Sequence, residues 1–244
     1  MSQTPYTITL LQIPTTKEYH TNLSRLLQEI KNASQSDLII APEVCLTGFD
    51  YEAFEKAAAF FDPAIQAIKE IPTQAMIVLT LIKKLPQGFV NQAVVIHNQQ
   101  LCHQQNKHQL FTVGEETKYF YRGEASGIVP FEVEGVRYGI LICFELRFKT
   151  LWRQLEGVDI VLVPAMWGLG RKRHLEVLSE ALAVMNQNFV IVCNSANEDM
   201  AKSSAVLSPW GDRIQDDTKE VITTTIDLKE IKKVRRLIPM RTGD

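Results

Sequence analysis

The feature that most constrains the fold of this chain is a set of short, almost uninterrupted apolar runs. They are LIIAPE at 38–43, AMIVLTLI at 75–82, DIVLVPA at 159–165 and NFVIVCNS at 188–195. A strand that is apolar on both faces needs a covering layer on each side, as in a sheet enclosed by other layers. Amphipathic segments with helical spacing, such as 20–32, separate these runs. The pattern predicts an α/β protein built in layers.

The rest of the sequence extends this alternation of strands and helices. Further strands are expected at 6–13, 90–97, 128–135, 136–143 and 221–226. Helices are expected at 20–32, 53–70, 148–155, 172–187 and 227–235. No internal repeat or Pro/Gly-rich linker divides the sequence, so we expect one domain over residues 1–244.

Composition excludes several classes of partner. The chain has 26 Lys and Arg against 28 Asp and Glu, so its formal net charge is −2. Such a chain has no global basic field to attract nucleic acid or anionic lipid. No stretch approaches the roughly 20 apolar residues of a membrane span, and MSQTPYTITLLQIP does not resemble a secretory signal. We expect a cytoplasmic protein without nucleic-acid or membrane partners.

The four cysteines, Cys45, Cys102, Cys143 and Cys193, could form two disulfides. Three of them lie in or beside apolar runs, however, and a chain of this size does not need disulfides for stability. Four free thiols in a reducing compartment are therefore expected. A thiol redox protein is the alternative, but the sequence contains no C-x-x-C motif.

Cys143 is the first candidate for chemistry, because it ends an apolar run and begins a charged segment. Ligands of α/β proteins bind at the carboxyl ends of strands. Backbone N–H groups entering a helix there could lower the pKa of a thiol and bind an oxyanion. Cys143 could equally be the last small residue of a buried strand. Cys193 has the same setting, so local context does not single out one nucleophile.

Glu43 and Lys107 are further candidates. Glu43 follows an apolar strand and a proline, where partial burial would raise its pKa into the range of a general base. Lys107 precedes an apolar Leu-Phe pair and could be drawn inward to stabilise an oxyanion. Taken singly, each could also be an ordinary surface residue.

Two other clusters have weaker signals. The spacing of His97, Cys102, His103 and His108 matches no zinc-binding pattern, so no metal site is expected. The segment 171–173, Arg-Lys-Arg, begins a predicted helix, where cations oppose the helix dipole. This unfavourable placement suggests that the positive charge has a function.

Three motifs in order resemble those of the nitrilase, or carbon–nitrogen hydrolase, superfamily. They are APEVCLTGF at 41–49, NKHQLFTVGEETKYFYRG at 106–123 and YGILICFELRF at 138–148. DIVLVPAMW at 159–167 and SSAVLSPWGD at 203–212 extend the resemblance over nearly the whole chain. It implies a four-layer α-β-β-α sandwich that pairs into homodimers or higher homo-oligomers, and a catalytic triad of Glu43, Lys107 and Cys143. No metal or organic cofactor is implied.

The same resemblance implies a second glutamate in the lysine motif. Glu115 and Glu116 both compete for this role, and the family-like spacing to Lys107 and to the following glycine selects Glu116. The family's Arg-Ala-x-Glu-Asn word is replaced here by LAVMN at 182–186, which we interpret as a repacked helix.

Substrate choice follows from the branch that the motifs most resemble, the omega-amidases. These hydrolyse the terminal amide of small dicarboxylic acid monoamides. The backbone N–H of Phe144 would bind the oxyanion, and the segment from Trp167 to His174 would border the pocket. Arg171 and Arg173 are the nearest candidates in sequence to bind the free carboxylate. Arg147 is a third candidate, for which a structural role beside Cys143 is favoured. An N-carbamoyl amidohydrolase and a catalytically silent interaction protein remain alternatives.

Overall fold

The computed structural model describes residues 5–240, and its framework is two mixed β-sheets of six strands each. The strands are β1 Tyr6–Leu11, β2 Leu38–Ile40, β3 Met76–Leu85, β4 Gly88–His97, β5 Gln100–Asn106, β6 Phe131–Val133, β7 Val136–Ile140, β8 Ile160–Pro164, β9 Phe189–Cys193, β10 Ala205–Leu207, β11 Arg213–Gln215 and β12 Val221–Ile226. The helices are α1 Tyr19–Asn32, α2 Phe54–Ala59, α3 Phe61–Lys69, α4 Glu116–Tyr119, α5 Lys149–Gln154, α6 Lys172–Asn186 and α7 Lys229–Leu237.

Each sheet has three parallel strands with antiparallel strands outside them. The first sheet has the order β12-β1-β2-β3-β4-β5, in which β1, β2 and β3 are parallel. The second has the order β11-β10-β9-β8-β7-β6, in which β7, β8 and β9 are parallel. The carboxyl ends of parallel strands are the usual place for a site in α/β proteins.

Side-chain alternation along the strands explains the continuous apolar runs. In β2, Leu38 and Ile40 join the core between the two sheets, whereas Ile39 joins the core under α1 and α3. In β3, Val78 and Leu79 divide between the same two cores. Helices α5 and α6 contribute to the first of these cores from the far side of the second sheet. The predicted four-layer α-β-β-α sandwich is therefore confirmed.

Some element boundaries differ from the prediction. The expected helix at 53–70 divides into α2 and α3, and the expected strand at 128–135 is only Phe131–Val133. Strand β5 was not predicted, because QLCHQQN is too polar to show an apolar strand pattern. The strand expected at 136–143 ends at Ile140, so Cys143 begins a separate 3-10 turn.

The segment LAVMN at 182–186 of α6 is only partly packed into the core. Leu182 is buried in the core, as a repacked helix would require, but Met185 is 57% exposed. Val184 is also exposed. The replacement of charged by apolar residues therefore creates apolar surface on this helix as well as core.

The cysteines and the histidine cluster carry no cross-link or metal arrangement in the part of the chain that the structure describes. All four cysteines are free. His97, Cys102 and His103 lie along the β4–β5 hairpin, and no group of three metal-ligating side chains is found within residues 5–240. No helix in this range is long and apolar enough to cross a membrane.

Candidate active site

Four side chains from separate loops meet at one end of the sandwich. Glu43 follows β2, Lys107 follows β5, Glu116 begins α4 and Cys143 follows β7. All four side chains are buried. We call them the Glu–Lys–Cys cluster. The topology explains why they meet, because β2 and β7 are parallel strands of the two facing sheets and both end here.

Lys107 is held between two carboxylates. Its Nζ donates a hydrogen bond of 2.6 Å to Glu43 Oε1 and one of 2.7 Å to Glu116 Oε1. Burial alone lowers the pKa of Lys107, but the two negative charges outweigh it and the pKa is raised overall. Lys107 is therefore a fixed, fully charged cation that is not available as a base.

Glu43 has one oxygen engaged and one free. Asn91 Nδ2 donates to the same Oε1 at 2.8 Å, and Oε2 is buried without a hydrogen bond from any described residue. The Glu43 backbone N–H donates to Ala165 O in the opposite sheet at 3.2 Å. Glu43 is thus oriented by Asn91 and Lys107 with an unused acceptor oxygen. Sequence reasoning missed Asn91, although a polar residue inside the apolar strand β4 is a usable signal.

Cys143 stands at a turn with an unusual backbone. Its φ is 51°, in the left-handed region that residues other than glycine adopt rarely. Burial raises the pKa of its thiol well above the ordinary value, and the charge of Glu43 raises it further, whereas Lys107 acts in the opposite direction. The Cys143 thiol is therefore neutral at rest and lies beside a carboxylate. Formation of a thiolate at this position would require a base.

The other cysteines lack this environment. Cys45 and Cys193 are completely buried, and burial raises the pKa of each thiol. Cys143, by contrast, lines a small cavity together with Phe144 and Trp167. Cys143 and Cys193, which have the same setting in the sequence, therefore differ in the structure, because Cys143 borders a cavity and Cys193 does not.

The two neighbouring glutamates of the lysine motif have different environments. Glu116 is buried, and its Oε2 accepts the backbone N–H of Phe111 at 3.0 Å while Oε1 binds Lys107. Burial raises the pKa of Glu116 although Lys107 opposes this effect. Glu115 forms a surface ion pair with Lys118. The structure brings Glu116, and not Glu115, to the lysine.

The cavity beside Cys143 has aromatic and cationic walls. Its lining consists of Phe111, Cys143, Phe144, Arg147, Met166, Trp167 and Arg171. A wider cleft of about 640 Å³ shares Met166 with it and opens between Phe49, Tyr51 and Asn197. A cavity of the same volume lies at the other end of the sandwich, near Tyr6 and Tyr138, but no cysteine or lysine is among its described lining residues.

Two guanidinium groups border the cavity. Arg147 lies over the Trp167 ring at 4.6 Å and Arg171 over the Phe111 ring at 4.9 Å. Burial lowers the pKa of Arg147, and the nearby charge of Arg171 lowers it further. Neither arginine forms an ion pair with a residue between 5 and 240. Two adjacent cations without a carboxylate partner are an arrangement whose charge and geometry suit an anion.

Arg173 does not belong to this pair. Its side chain is 77% exposed and faces Glu176 at 3.9 Å, one turn along α6. It is absent from the cavity lining, since it projects from the helix surface whereas Arg171 precedes the helix. The structure therefore places Arg147 where the sequence analysis had placed Arg173.

Comparison with known proteins assigns the family. The sequence profile described as carbon-nitrogen hydrolase matches residues 7–236. The chain is 26% identical to a 2-oxoglutaramate amidase of Bacillus subtilis over 86% of this chain and 85% of that protein. It is 29% identical to the omega-amidase YafV of Escherichia coli K12 over 85% of this chain and 83% of that protein.

Solved structures agree with this assignment. XC1258 from Xanthomonas campestris, a CN-hydrolase superfamily protein with an arsenic adduct in its active site, superposes with a TM-score of 0.85 at 25% identity. The match covers 99% of this chain and 98% of that one. Nit3 of Saccharomyces cerevisiae, of the nitrilase superfamily, shares the fold with a TM-score of 0.82 at 19% identity, covering 97% and 95% of the two chains. The chain belongs to the carbon–nitrogen hydrolase family.

Proposed function

We propose that this protein is an amidase that hydrolyses the terminal amide of a small dicarboxylic acid monoamide through an acyl-enzyme on Cys143. The observation that carries this proposal is the buried Glu–Lys–Cys cluster, in which a fixed cation and an oriented carboxylate adjoin a cavity-lining thiol. A thiol nucleophile, a base and a cation that stabilises the oxyanion are together able to catalyse acyl transfer from an amide.

In the first half of the reaction, Glu43 Oε2 accepts the thiol proton as Cys143 Sγ attacks the amide carbon. The carbonyl oxygen becomes an oxyanion, held by the Lys107 ammonium and the Phe144 N–H. Phe144 is the second residue of the 3-10 turn, so its N–H has no acceptor within that turn. Glu116 acts as a positioning residue by holding Lys107 in place.

In the second half, the tetrahedral intermediate collapses and the C–N bond breaks. Glu43 donates its proton to the leaving nitrogen, and ammonia departs. Glu43 then takes a proton from water, whose oxygen attacks the thioester carbon. The C–S bond breaks, the carboxylic acid leaves and the thiol is restored.

The cavity walls support an acidic substrate. A monoamide of a dicarboxylic acid has a carboxylate at the end opposite its amide, and Arg147 and Arg171 present two guanidinium groups beside Cys143. The names of the two relatives, 2-oxoglutaramate amidase and omega-amidase, agree with such a substrate. An N-carbamoyl amino acid also carries a carboxylate, so it is the competing substrate class.

A substrate panel tests the proposal. Monoamides of four- and five-carbon dicarboxylic acids, the matching neutral amides and N-carbamoyl amino acids would each be assayed for ammonia release. We expect the acidic monoamides to give the highest kcat/KM. Preference for carbamoyl compounds would replace the proposed substrate class, and no turnover of any amide would contradict the proposed activity.

We further propose that the protein is a cytoplasmic homodimer. Exposed apolar side chains gather on α6 and the neighbouring turn and strand: Val177, Val184, Met185, Trp210 and Ile214. A Cβ atom at position 211 would contact Val184 at van der Waals distance, so the turn at Gly211 lies beside α6. An apolar patch of this kind is typical of a subunit interface. Four free cysteines agree with a reducing compartment.

A further inference from the structure

Glu145 is a buried carboxylate that the reaction described above does not use. It lies in the 3-10 turn that begins at Cys143, and it is completely buried. Burial of an ionisable group is costly unless hydrogen bonds compensate it. Its surroundings therefore have to supply those hydrogen bonds.

Three backbone N–H groups from two segments donate to this carboxylate. Glu145 Oε1 accepts His108 N–H at 2.6 Å and Gln109 N–H at 3.3 Å. Glu145 Oε2 accepts Ile142 N–H at 2.7 Å. His108 directly follows Lys107, and Ile142 directly precedes Cys143. One carboxylate thus ties the lysine loop to the cysteine turn.

The negative charge of Glu145 strengthens the hydrogen bonds that hold these two segments together. Both anionic oxygens point at N–H donors, and an ionised acceptor forms stronger hydrogen bonds than a neutral one. A glutamine would present an NH2 group to one of the donors. Burial raises the pKa of Glu145 to about 7, while the backbone donors and Lys107 act to lower it. The Lys107 ammonium exerts its part of this effect through space, by its positive charge.

We propose that Glu145 is a positioning residue that fixes the separation between the Lys107 ammonium and the Cys143 thiol. The inference rests on the proposed function, because it assigns Lys107 and Cys143 the roles given there. Displacement of a catalytic group by about 1 Å can lower turnover on the order of a hundredfold. Loss of the link should therefore reduce kcat and leave KM nearly unchanged, since Glu145 does not line the cavity.

The experiment compares Glu145→Gln with Glu145→Asp in the full chain. If Glu145 only fills space, the isosteric glutamine is the milder change. If its anionic oxygens hold the two segments, aspartate retains more activity despite its shorter side chain. We expect kcat to fall about a hundredfold in Glu145→Gln and about tenfold in Glu145→Asp, with KM within about threefold. Glu132→Gln, on an exposed position of β6, is the matched control.

A second readout does not depend on the substrate. The rate at which iodoacetamide alkylates Cys143, followed by mass spectrometry, should fall at least tenfold in Glu145→Gln if Lys107 moves away from the thiol. Slower alkylation in a protein that hydrolyses no amide would support the inference and contradict the proposed function. Unchanged alkylation and kcat in folded Glu145→Gln, or equal activity of both variants, would overturn the inference. If Glu145→Gln does not fold, an unchanged kcat in Glu145→Asp overturns it.

Discussion

At the scale of single residues, the site depends on the position of charges more than on their number. The Lys107 ammonium contacts two carboxylates within 2.7 Å and lies in a fully buried setting. A guanidinium has the same charge but a larger planar shape, and it cannot occupy the place of an ammonium without displacing those carboxylates.

Lys107→Arg should therefore lose activity almost as completely as Lys107→Ala. The expected loss in kcat is about 10²–10³, which is typical when one oxyanion donor is removed. Steady-state kinetics on the best acidic monoamide would measure it, with the exposed Lys118→Arg as the control. Retention of kcat within a few-fold in Lys107→Arg would show that bulk charge suffices.

The two guanidinium groups predict a substrate-dependent effect. Arg171→Ala and Arg147→Ala should lower kcat/KM for an acidic monoamide about ten- to a hundredfold and change a neutral amide of equal length little. Arg173→Ala is the matched control, because its side chain is exposed outside the cavity. Equal losses on both substrates would remove the argument for a carboxylate-bearing substrate.

The raised pKa of Glu145 predicts a pH effect on stability. The pKa lies at about 7 in the folded protein because of burial, against an ordinary value of 4.5. Between these values the folded state keeps a proton that the unfolded chain has released, so the free energy of unfolding falls as pH rises. Over the full interval between these two pKa values, this proton contributes about 3 kcal/mol to the free energy of unfolding.

Glu145→Gln lacks this contribution. Urea unfolding at pH 5 and pH 8 should therefore show a wild-type loss of stability that exceeds that of Glu145→Gln by about 2.5 kcal/mol. Identical pH dependence in the two proteins would mean that Glu145 is not buried as a titrating group.

At the scale of elements, helix α6 has a buried face and an apolar exposed face. Leu175 and Leu182 pack in the core, whereas Val177 and Met185 face outward. An isolated monomer would leave this apolar surface in water, at an unfavourable free energy that association removes.

Met185→Glu should accordingly weaken self-association. We expect light scattering coupled to gel filtration to give a dimer mass for the wild type and a monomer mass for the variant at micromolar concentration. Lys229→Glu on α7 would serve as a surface control. A wild-type monomer mass would contradict the proposed dimer.

At the scale of the whole molecule, the layered architecture could be predicted from local sequence. Strands that are buried on both faces, such as β2 and β8, have continuous apolar sequences. Strand β5 has no continuous apolar sequence, since its polar residues are stabilised by pairing with β4 rather than by burial. The positive φ of Cys143 could not be predicted either, because the residue at this position is not a glycine. Contacts that depend on tertiary packing could not be predicted from local sequence.

The candidate site, too, could be predicted from the sequence only in part. Motif order placed Glu43, Lys107, Glu116 and Cys143 in candidate roles, and the structure brings these four together. The contributions of Asn91 and Arg147 depend on which strand and which loop face the cluster, which local sequence does not encode. Arg173 illustrates the converse, because Arg171, just before α6, lines the cavity whereas Arg173, two residues later, is exposed.

The most direct test of the central claim is the intact mass of the protein quenched in acid during turnover of an acidic monoamide, followed by peptide mapping. The account predicts an added acyl group, equal to the substrate minus ammonia, on Cys143, and its absence in Cys143→Ala together with loss of turnover. Cys193→Ala should keep both the adduct and most activity. An acyl group on Cys45, Cys102 or Cys193, or undiminished turnover in Cys143→Ala, would contradict the account.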